Sequence, residues 1–177
     1  SAFLDQSEGS PAIALTQGFM GATPGGDTTT LGREGSDYTA AIFAYALQAD
    51  EMVIWKDVPG LLNADPKYFS RTEKLASISY REAIELSYYG ATIIHPKTIK
   101  PLQNKDIPLR IKSFVKPGDE GSIIQNDTAA DSLIPSFIFK VDQVLISIIP
   151  RDFSFIDEQS LSEILAVFAS NAIHISL

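Results

Sequence analysis

The chain has 177 residues, of which 45% are hydrophobic and 20% are charged, a balance typical of a globular protein with one sizeable core. Its formal net charge of -8 argues against a surface for nucleic acid or anionic membrane, because both would need clustered Lys and Arg. The chain has no cysteine, which excludes disulfides and thiolate metal sites, and no apolar run near the ~18 residues that span a bilayer. We therefore expect a soluble, cytoplasmic protein with no nucleic-acid or membrane partner.

The N-terminal part of the chain is rich in residues that interrupt regular structure. Residues 1–11 are polar and predict a loop or a disordered lead, whereas residues 12–17 predict a short buried strand. Residues 18–27 predict a mobile loop, because half of this stretch consists of Gly18, Gly21, Pro24, Gly25 and Gly26. Loops of this kind often close over ligands.

The segment 28–41 reads TTTLGREGSDYTAA and is the most informative part of the sequence. Gly32 and Gly35 permit a close backbone approach or a positive φ, and Ser36 is predicted to cap the helix that starts at the next residue. The amides at that helix start would face an anion. Arg33 can bind a carboxylate through two parallel hydrogen bonds. The pattern alone fits an ordinary capped loop with a solvated Arg equally well.

Helix and strand patterns alternate after this segment. Residues 37–49 predict a helix and residues 52–55 a buried strand, and the segment 56–67 leaves the carboxyl end of that strand, where open α/β sheets bind ligands. The predicted core-facing stripe of the helix comprises Ala40, Ala41, Phe43, Ala44 and Leu47. Alternation of this kind indicates an α/β fold with helices on the faces of a sheet.

The next segment continues the alternation. Ser79 and Glu82 form a capping box that predicts a helix ending at Gly90, and His95 with Pro96 predicts the start of another short helix. Further along, the pattern predicts a strand over 109–114, a turn over 116–121 and a last short strand over 122–124. His95 is expected to be structural rather than catalytic.

A different pattern begins near residue 137. The polar segment 125–136 predicts an interdomain linker. Beyond it, residues 137–149 predict a β-rich run, residues 161–168 a helix with one apolar face, and residues 173–177 the start of a strand. This order is the first half of a β-α-β-β-α-β ferredoxin-like module.

The segment TTTLGREGSDYTAA resembles the signature of aspartate kinases, within the amino-acid kinase family. The similarity covers roughly residues 18–124 and continues through WKDVPG (55–60), DPK (65–67), YGA (89–91) and HPK (95–97) in the order that the family uses. It implies the C-terminal, nucleotide-binding part of a layered αβα kinase domain over 1–124. The linker 125–136 and the first half of an ACT regulatory domain over 137–177 would follow.

These kinases open with a K-x-G-G-T-S strand and loop that hold the phosphates, and residues 1–17 do not match it. We therefore expect this chain to be a fragment, inactive when isolated.

The resemblance also implies roles around the signature. Arg33 would pair with a carboxylate of an aspartate substrate, in a site shared with Phe19, Gly35 and Ser36. Asp37 would be the catalytic residue, orienting cationic side chains around the phosphoryl group during transfer. The alternatives are a first-turn helix charge for Asp37 and a packed aromatic beside a glycine hinge for Phe19.

The implied nucleotide contacts are Lys56, Asp57, Leu62, Lys67, Thr92 and Ile93. The chain departs from the family at several positions: Leu62 replaces a frequent aromatic, Lys67 a frequent Arg, Thr92 a phosphate-contacting Lys, and Glu34 a frequent Gly. Lys97 is a candidate to replace the Lys missing at position 92, and Glu34 is expected on the solvent side of its turn. Since no cluster of His and Cys could hold a metal, Mg²⁺ would arrive with ATP.

The implied activity is transfer of the γ-phosphoryl group of ATP to the β-carboxylate of L-aspartate. The product would be 4-phospho-L-aspartate, on the route to lysine, threonine and methionine. An effector amino acid, lysine or threonine, is expected near 151–160, with Ser154 and Asp157 as candidate contacts, and the ACT domains are expected to pair in a homo-oligomer. Two alternatives stay open: an amino-acid kinase acting on glutamate or acetylglutamate, and a non-catalytic regulatory or interaction module.

Overall fold

The computed structural model describes residues 13–89, 94–139, 141–150, 155–173 and 175. The chain forms two compact units, Ser1–Lys140 and Val141–Leu177. Among the described residues, the first unit contains eight strands and three helices, and the second unit contains one helix. The predictions for residues 1–11 and for a helix stop at Gly90 lie outside the described residues.

The elements of the first unit follow one another with short connections. They are β1 (Met20–Ala22), β2 (Thr28–Thr30), α1 (Gly35–Leu47), β3 (Met52–Lys56), β4 (Leu61–Leu62), β5 (Lys74–Leu75), β6 (Ser77–Ser79), α2 (Tyr80–Tyr89), α3 (Pro96–Gln103), β7 (Leu109–Ser113) and β8 (Ser122–Gln125). The predicted helices after residues 37, 79 and 95 and the predicted strands near residues 52, 109 and 122 are confirmed. The short strands β4, β5 and β6 were not predicted.

A four-stranded mixed sheet in the order β3-β7-β8-β6 organises this unit. Strands β3 and β7 are parallel, as are β6 and β8, whereas β7 and β8 form an antiparallel pair. The register places Met52 beside Leu109 and Ile54 beside Ile111, and all four side chains are buried. Helices α1, α2 and α3 pack with this sheet or with one another, which confirms the α/β class.

The prediction of a buried strand at β3 is only half correct. Strand β3 lies at the edge of the sheet, and its alternate side chains, Val53 and Trp55, remain 38% exposed. The predicted stripe of α1 is narrower than expected, because Ala41 and Ala44 are buried while Phe43, Leu47 and Ala40 are exposed. Because alanine is small, the backbone of α1 can lie close to the neighbouring elements at Ala41 and Ala44. The larger side chains on either side of these two alanines remain exposed.

The capping box predicted at α2 is modified by a residue from the segment 125–136. The Ser79 hydroxyl accepts a hydrogen bond from the Glu82 backbone N–H at 3.0 Å, as the motif predicts. The Ser79 backbone N–H donates instead to the Asp131 carboxylate, at 2.7 Å. Burial raises the pKa of Glu82, and the negative charge of Asp131 raises it further. Asp131 thus ties the polar segment, which lies within the first unit, to the start of α2, while the predicted domain boundaries stay predictions.

Tyr80 is the largest side chain that is almost fully buried, with 1% of its surface exposed. Its hydroxyl donates a hydrogen bond to the Ile107 carbonyl at 2.6 Å, joining α2 to the segment before β7. Tyr80→Phe is expected to lower the free energy of unfolding by about 1–3 kcal/mol, because it leaves the Ile107 carbonyl without its donor. Urea titrations of the two proteins at neutral pH measure this difference.

Because of Tyr80, we also expect the free energy of unfolding to fall at alkaline pH. Burial raises the pKa of Tyr80 to about 12, with a further contribution from the charge of Asp106. An unfolded tyrosine ionises near pH 10. The stabilisation from this group is therefore full below pH 10 and disappears as the pH rises towards about 12. Tyr80→Phe should lose less stability than the parent between these limits, and an identical pH dependence would contradict this assignment.

Two predictions for the N-terminal part of the chain are wrong. Residues 13–17 are not a strand, and Ile13 and Leu15 are almost fully exposed, because no strand pairs with them among the described residues. Residues 18–27 are not one mobile loop, since β1 lies within them and forms an antiparallel hairpin with β2, which follows them. The turn is closed by Thr23 and Asp27, and Gly26 adopts a φ of +91°.

The second unit contains α4 (Glu158–Ser170), which confirms the helix predicted from residue 161 onward. The predicted β-rich run is wrong for the described residues 137–139 and 141–149, which form no strand, and Leu145 remains 94% exposed. Ile173 and Ile175 are not in a strand either, and the rest of 173–177 lies outside the described residues. An apolar run becomes a stable strand only when a neighbour pairs with its backbone. No helix in the described parts of the chain combines the length and hydrophobicity needed to cross a bilayer.

Candidate functional site

A glycine turn determines where α1 begins. Gly32 adopts a φ of +77°, and the Gly35 N–H donates to the Gly32 carbonyl at 3.0 Å. The helix therefore starts at Gly35 with Glu34 as its N-cap residue, so the prediction that Ser36 caps the helix is wrong. The first intrahelical bond is donated by Tyr38 to the Glu34 carbonyl, at 3.1 Å. The N–H groups of Ser36 and residue 37 precede that bond and therefore have no acceptor within the helix, an arrangement that can bind an anion.

Phe19 is fixed against this first turn by its backbone. It adopts a φ of 74°, its N–H donates to the Thr39 hydroxyl at 3.0 Å, and its carbonyl accepts from Leu31 at 2.8 Å. The Thr39 hydroxyl in turn donates to the Gly35 carbonyl at 2.9 Å. A left-handed conformation costs an L-residue about 1–2 kcal/mol, and strain of this kind concentrates at functional sites. Sequence reasoning did not identify Thr39, which offers no signal beyond its place four residues after Gly35.

Gly35 is required by the close approach of Phe19. A Cβ atom at this position would lie 2.8 Å from Phe19 Cδ2 and 3.0 Å from Leu31 Cβ. Gly35→Ala is therefore expected to lower the free energy of unfolding by about 1–3 kcal/mol, the usual cost of overpacking. Thermal and urea unfolding of the variant measure this loss.

Gly118→Ala is the matched control, because nothing lies within 4 Å of a Cβ placed there. The control should leave stability within about 0.5 kcal/mol of the parent. Equal stability of both variants would show that the contact between Phe19 and Gly35 is not tight.

Asp37 and Lys56 form an ion pair that joins two parts of the predicted site. The Asp37 Oδ2 and Lys56 Nζ atoms are 3.2 Å apart, and both side chains are about one-fifth exposed. Asp37 lies in the first turn of α1, and Lys56 is the last residue of β3. The pair thus stands at the carboxyl end of a sheet strand, the place where α/β sheets bind ligands. Sequence reasoning predicted both residues but not their contact.

Arg33 is exposed and makes no hydrogen bond or ion pair with any other described residue. It immediately precedes the N-cap residue of α1 and so lies next to the first helical turn, whose N–H groups have no acceptor within the helix. Ser36 is also exposed on the first turn of the helix. The structure thus places Arg33 and Ser36 where an anion in solution can reach them.

Glu34 departs from its predicted environment. Its backbone is left-handed, with φ 55° and ψ 29°, and its side chain makes no capping hydrogen bond. The residue is only partly exposed, and its Oε2 atom is buried without a hydrogen-bond partner among the described residues. The expectation that Glu34 faces solvent is therefore wrong for one of its carboxylate oxygens.

The predicted nucleotide residues that the structure describes lie in one loop after β3. Asp57 and Lys67 are exposed, and Leu62 is half-buried in β4. The loop is attached to the sheet, because the Leu61 N–H donates to the Ser122 hydroxyl at 2.8 Å. Lys67 is held in a turn in which its N–H donates to an Asp65 carboxylate oxygen at 2.8 Å.

Three predicted contacts, Thr92, Ile93 and Ser154, lie outside the described residues. Asp157, the other candidate effector contact, is the N-cap of α4, where its carboxylate accepts from the Ser160 N–H at 2.8 Å. Hydrogen bonds from Ser160 hold the pKa of Asp157 below its usual value. Asp157 therefore has a structural role whether or not it contacts an effector.

A surface cleft of about 390 Å³ is lined by residues of both α1 and α3, including Tyr38 and Lys97. His95 caps α3 through its Nδ1 atom, which accepts from the Lys97 N–H at 3.1 Å, so its structural interpretation is confirmed. Lys97 as a replacement for the Lys missing at position 92 stays a prediction. Within the described ranges, no three His, Cys, Asp or Glu side chains converge on one point that could hold a metal ion.

The sequence model of the Amino acid kinase family matches residues 3–113. The chain belongs to the amino acid kinase family. Within it, the lysine-sensitive aspartokinase 3 of Escherichia coli is 35% identical over 166 residues, which cover 93% of this chain and 36% of that protein. This chain thus spans just over one third of the length of that relative.

Solved structures agree with this assignment. The structure of E. coli aspartokinase III with lysine and aspartate (T-state) superposes with a TM-score of 0.71 at 35% identity and covers 91% of this chain and 36% of that chain. The complex of the same enzyme with aspartate and ADP (R-state) gives a TM-score of 0.67 at 33% identity, with the same coverage. The resemblance to aspartate kinases is therefore confirmed, while the roles of individual site residues stay predictions.

Proposed function

We propose that the protein containing this chain is an aspartate kinase, which transfers the γ-phosphoryl group of ATP to the β-carboxylate of L-aspartate. The observation that carries the proposal is the start of α1, where Arg33 has no hydrogen-bond or ion-pair partner among the described residues and Asp37, four residues later, is paired with Lys56. The turn therefore offers a guanidinium for a carboxylate and an oriented ammonium for a phosphate. The aspartokinase relatives support this substrate.

The amino-acid subsite is proposed around Arg33. Its guanidinium binds a carboxylate of aspartate through two parallel hydrogen bonds, a geometry that lysine does not provide. The Ser36 hydroxyl and the open N–H groups of α1 add donors to the same anion. Phe19, held by Thr39, forms one wall of the subsite and Gly35 leaves room for it.

The phosphoryl subsite is proposed at the end of β3. A β-carboxylate oxygen attacks the γ-phosphorus, the bond from that phosphorus to the β,γ-bridging oxygen breaks, and ADP leaves with the electron pair. The attacking carboxylate is already ionised at neutral pH, so no general base is needed. Asp37 keeps the Lys56 ammonium in place, and this positive charge stabilises the phosphoryl oxygens during transfer.

The remaining nucleotide contacts are proposed at Asp57, Leu62 and Lys67 in the loop after β3, and at Thr92 and Ile93. Leu62 offers an apolar surface to the base, and Lys67 offers a charge to the phosphates. ATP binds as its Mg²⁺ complex, in which the metal neutralises phosphate charge. The ADP in the R-state structure of E. coli aspartokinase III supports a nucleotide substrate.

A panel of acceptors tests this proposal and separates it from the alternatives. ADP release by the full-length protein is measured with L-aspartate, L-glutamate and N-acetyl-L-glutamate at equal concentrations. The proposal predicts turnover with aspartate and little with the other two. Preference for glutamate or acetylglutamate would favour a different amino-acid kinase, and no turnover with any acceptor would favour a non-catalytic module.

We further propose that residues 137–177 are the first half of an ACT domain, joined to the kinase domain (1–124) through the linker 125–136. The amphipathic sequence of α4 and the lysine sensitivity named for the E. coli relative support a feedback effector, lysine or threonine. The modules would pair in a homo-oligomer, in a cytoplasmic enzyme.

Replacement of Asp157 tests the effector site. Because Asp157 also caps α4, the replacing residue must keep a hydrogen-bond acceptor for Ser160. Asp157→Asn keeps a cap acceptor for Ser160 but removes the charge, whereas Asp157→Ala also removes the cap. If the carboxylate binds the effector ammonium, Asp157→Asn should raise the inhibitory concentration of lysine or threonine by roughly tenfold or more and spare uninhibited turnover. Ser154→Ala should act in the same direction, and Glu158→Gln is the neighbouring control.

Inhibition is measured in the full-length protein over a range of lysine and threonine concentrations. An enzyme insensitive to both amino acids would contradict the regulatory proposal. Equal inhibition of parent and Asp157→Asn would remove Asp157 from the effector site and leave it as a helix cap alone.

A further inference from the structure

The loop between β4 and β5, residues 63–73, is closed at its base by Asn63. The Asn63 backbone N–H donates to the Glu73 carbonyl at 2.9 Å, and the Asn63 side-chain Oδ1 atom accepts from the Glu73 N–H at 2.8 Å. Lys67, a proposed nucleotide contact, lies within this loop. The conformation of the loop therefore decides where the Lys67 ammonium group lies.

A second set of contacts joins Asn63 to residues 135–139, near the C-terminal end of the first unit. The Asn63 side-chain Nδ2 atom donates to the Pro135 carbonyl at 3.2 Å, and the Asn63 carbonyl accepts from the Phe137 N–H at 2.6 Å. Asn63 thus uses its amide oxygen for the base of the loop and its amide nitrogen for the 135–139 segment.

The far end of the loop packs on the same segment through two aromatic pairs. The ring centroids of Tyr68 and Phe139 lie 4.5 Å apart, and those of Phe69 and Phe137 lie 5.9 Å apart. Both distances are within the range of favourable aromatic contacts. The sequence pattern places Phe137 and Phe139 in the regulatory module, yet their rings lie against residues that directly follow Lys67.

The 135–139 segment is itself anchored to the first unit just before Pro135. Asp131 accepts a hydrogen bond from the Ser79 N–H at 2.7 Å, and Ile134 packs against the hydrophobic core. The segment can therefore restrain the loop, because its own position is fixed. A ligand that binds one conformation of a loop binds more tightly when a larger fraction of molecules already has that conformation.

We propose that Asn63 is a positioning residue for the nucleotide, which holds the 63–73 loop against residues 135–139 so that Lys67 is placed for the phosphates of ATP. The inference rests on the proposed function, because it assigns a support to the same nucleotide subsite. It goes further by making the segment that leads into the second unit a contributor to ATP affinity. These contacts do not involve α1, so aspartate binding should not depend on them.

Asn63→Asp breaks the link to the segment and keeps the base of the loop. Aspartate retains an oxygen that accepts from the Glu73 N–H. Its second oxygen takes the place of the amide nitrogen and has no hydrogen atom to donate to the Pro135 carbonyl. The variant therefore separates support by the 135–139 segment from closure of the loop itself.

Phe139 gives a second variant that lies outside the loop. Phe139→Ala removes the ring that packs on Tyr68, whereas Phe139→Tyr keeps it, and the half-exposed position leaves the added hydroxyl in water. Leu133→Ala is the matched control, because Leu133 is an exposed apolar residue close to the same segment and takes part in none of these contacts.

Steady-state kinetics of the full-length protein, with ATP and aspartate varied in turn, test the positioning role. Asn63→Asp and Phe139→Ala should each raise the KM for ATP by ~3- to 10-fold, the effect of losing one neutral hydrogen bond or one aromatic pair. The KM for aspartate and kcat should stay within about twofold of the parent values. Phe139→Tyr and Leu133→Ala should behave like the parent.

Amide hydrogen exchange followed by mass spectrometry gives a readout that does not need turnover. ADP is the probe, and it should slow exchange in the 63–73 loop of the parent. Without ADP, this loop should exchange faster in Asn63→Asp and Phe139→Ala than in the parent, because it is less restrained. Both variants should need ~3- to 10-fold more ADP for the same protection.

Three results would overturn the inference. They are an unchanged KM for ATP and unchanged ADP requirement in both variants, an equal rise of the KM for ATP and for aspartate, and an absence of ADP protection in the loop of the parent. A parent that binds ADP at this loop but phosphorylates no aspartate would instead overturn the proposed function. The two failures are therefore distinguishable.

Discussion

Arg33→Ala in the full-length protein is expected to lower kcat/KM for aspartate by roughly 10- to 150-fold, while the KM for ATP barely changes. The reason is the loss of a charge-assisted pair between the guanidinium and a substrate carboxylate, which is worth about 1.5–3 kcal/mol. Because Arg33 makes no hydrogen bond or ion pair with the other described residues, its removal should not perturb the fold. Steady-state kinetics with each substrate varied in turn measure the effect.

Two further variants make this prediction specific. Arg33→Lys should recover only part of the lost activity, since it restores the charge without the bidentate geometry. Arg71→Ala removes another exposed arginine, located in the segment before β5, and should leave both KM values unchanged. A rise in the KM for ATP with no change for aspartate would mean that the signature turn belongs to the nucleotide subsite.

Asp37→Asn is expected to act mainly on kcat, lowering it by roughly 10²- to 10³-fold, as does the removal of one preorganised electrostatic contact in other enzymes. The amide keeps the shape of the side chain but weakens its hold on the Lys56 ammonium, 3.2 Å away. The positive charge is then less well oriented for the phosphoryl group, although aspartate still binds to Arg33. The KM for aspartate should therefore change much less than kcat.

A double-mutant cycle with Lys56→Gln tests whether the two residues act together. If Asp37 acts through Lys56, the double variant should be little worse than the worse single variant. If the kcat losses of the two single variants instead multiply in full in the double variant, the Asp37 and Lys56 side chains act independently in catalysis and not as an ion pair. Urea unfolding of all four proteins checks stability, and we expect modest changes because both side chains are partly solvated.

The three helices and the three longest strands of the first unit, β3, β7 and β8, could be predicted from the sequence because their signals are local. The S-x-x-E pattern at Ser79, the His95-Pro96 start and the apolar strand at Leu109 each lie within a few residues of the element that they predict. The strand pairing could not be read in this way. Strands β6 and β8 meet across some 45 residues, and β6 is too short for a periodic signal.

The errors at the two ends of the chain share a physical cause. The glycines in residues 18–27 predict a continuous loop, yet these residues contain strand β1 and the turn of a short hairpin in which β1 pairs with Thr28–Thr30. Conversely, apolar residues such as Leu145 predicted a strand that the structure does not form, because no partner pairs with it in the described part of the second unit. Strand formation depends on a neighbour, and sequence periodicity alone does not supply that information.

The candidate site was located from sequence, but its geometry was not. The signature identified Arg33, Ser36 and Asp37, and Gly35 proved to be required by the close approach of Phe19. The Asp37–Lys56 pair joins residues nineteen positions apart and depends on how α1 packs against β3. The helix start and the buried oxygen of Glu34 depend on a left-handed turn that the residue types do not reveal, because glycine rather than glutamate favours it.

Trapping of the reaction product with hydroxylamine tests directly whether this protein phosphorylates aspartate. An acyl phosphate formed on aspartate reacts with hydroxylamine to give aspartyl hydroxamate, which mass spectrometry identifies together with its position on the side chain. We expect the full-length protein to form the β-hydroxamate only when both ATP and L-aspartate are present, and Arg33→Ala to form far less of it. ADP release without hydroxamate, or the same yield from Arg33→Ala as from the parent, would contradict the assignment of the α1 turn to aspartate phosphorylation.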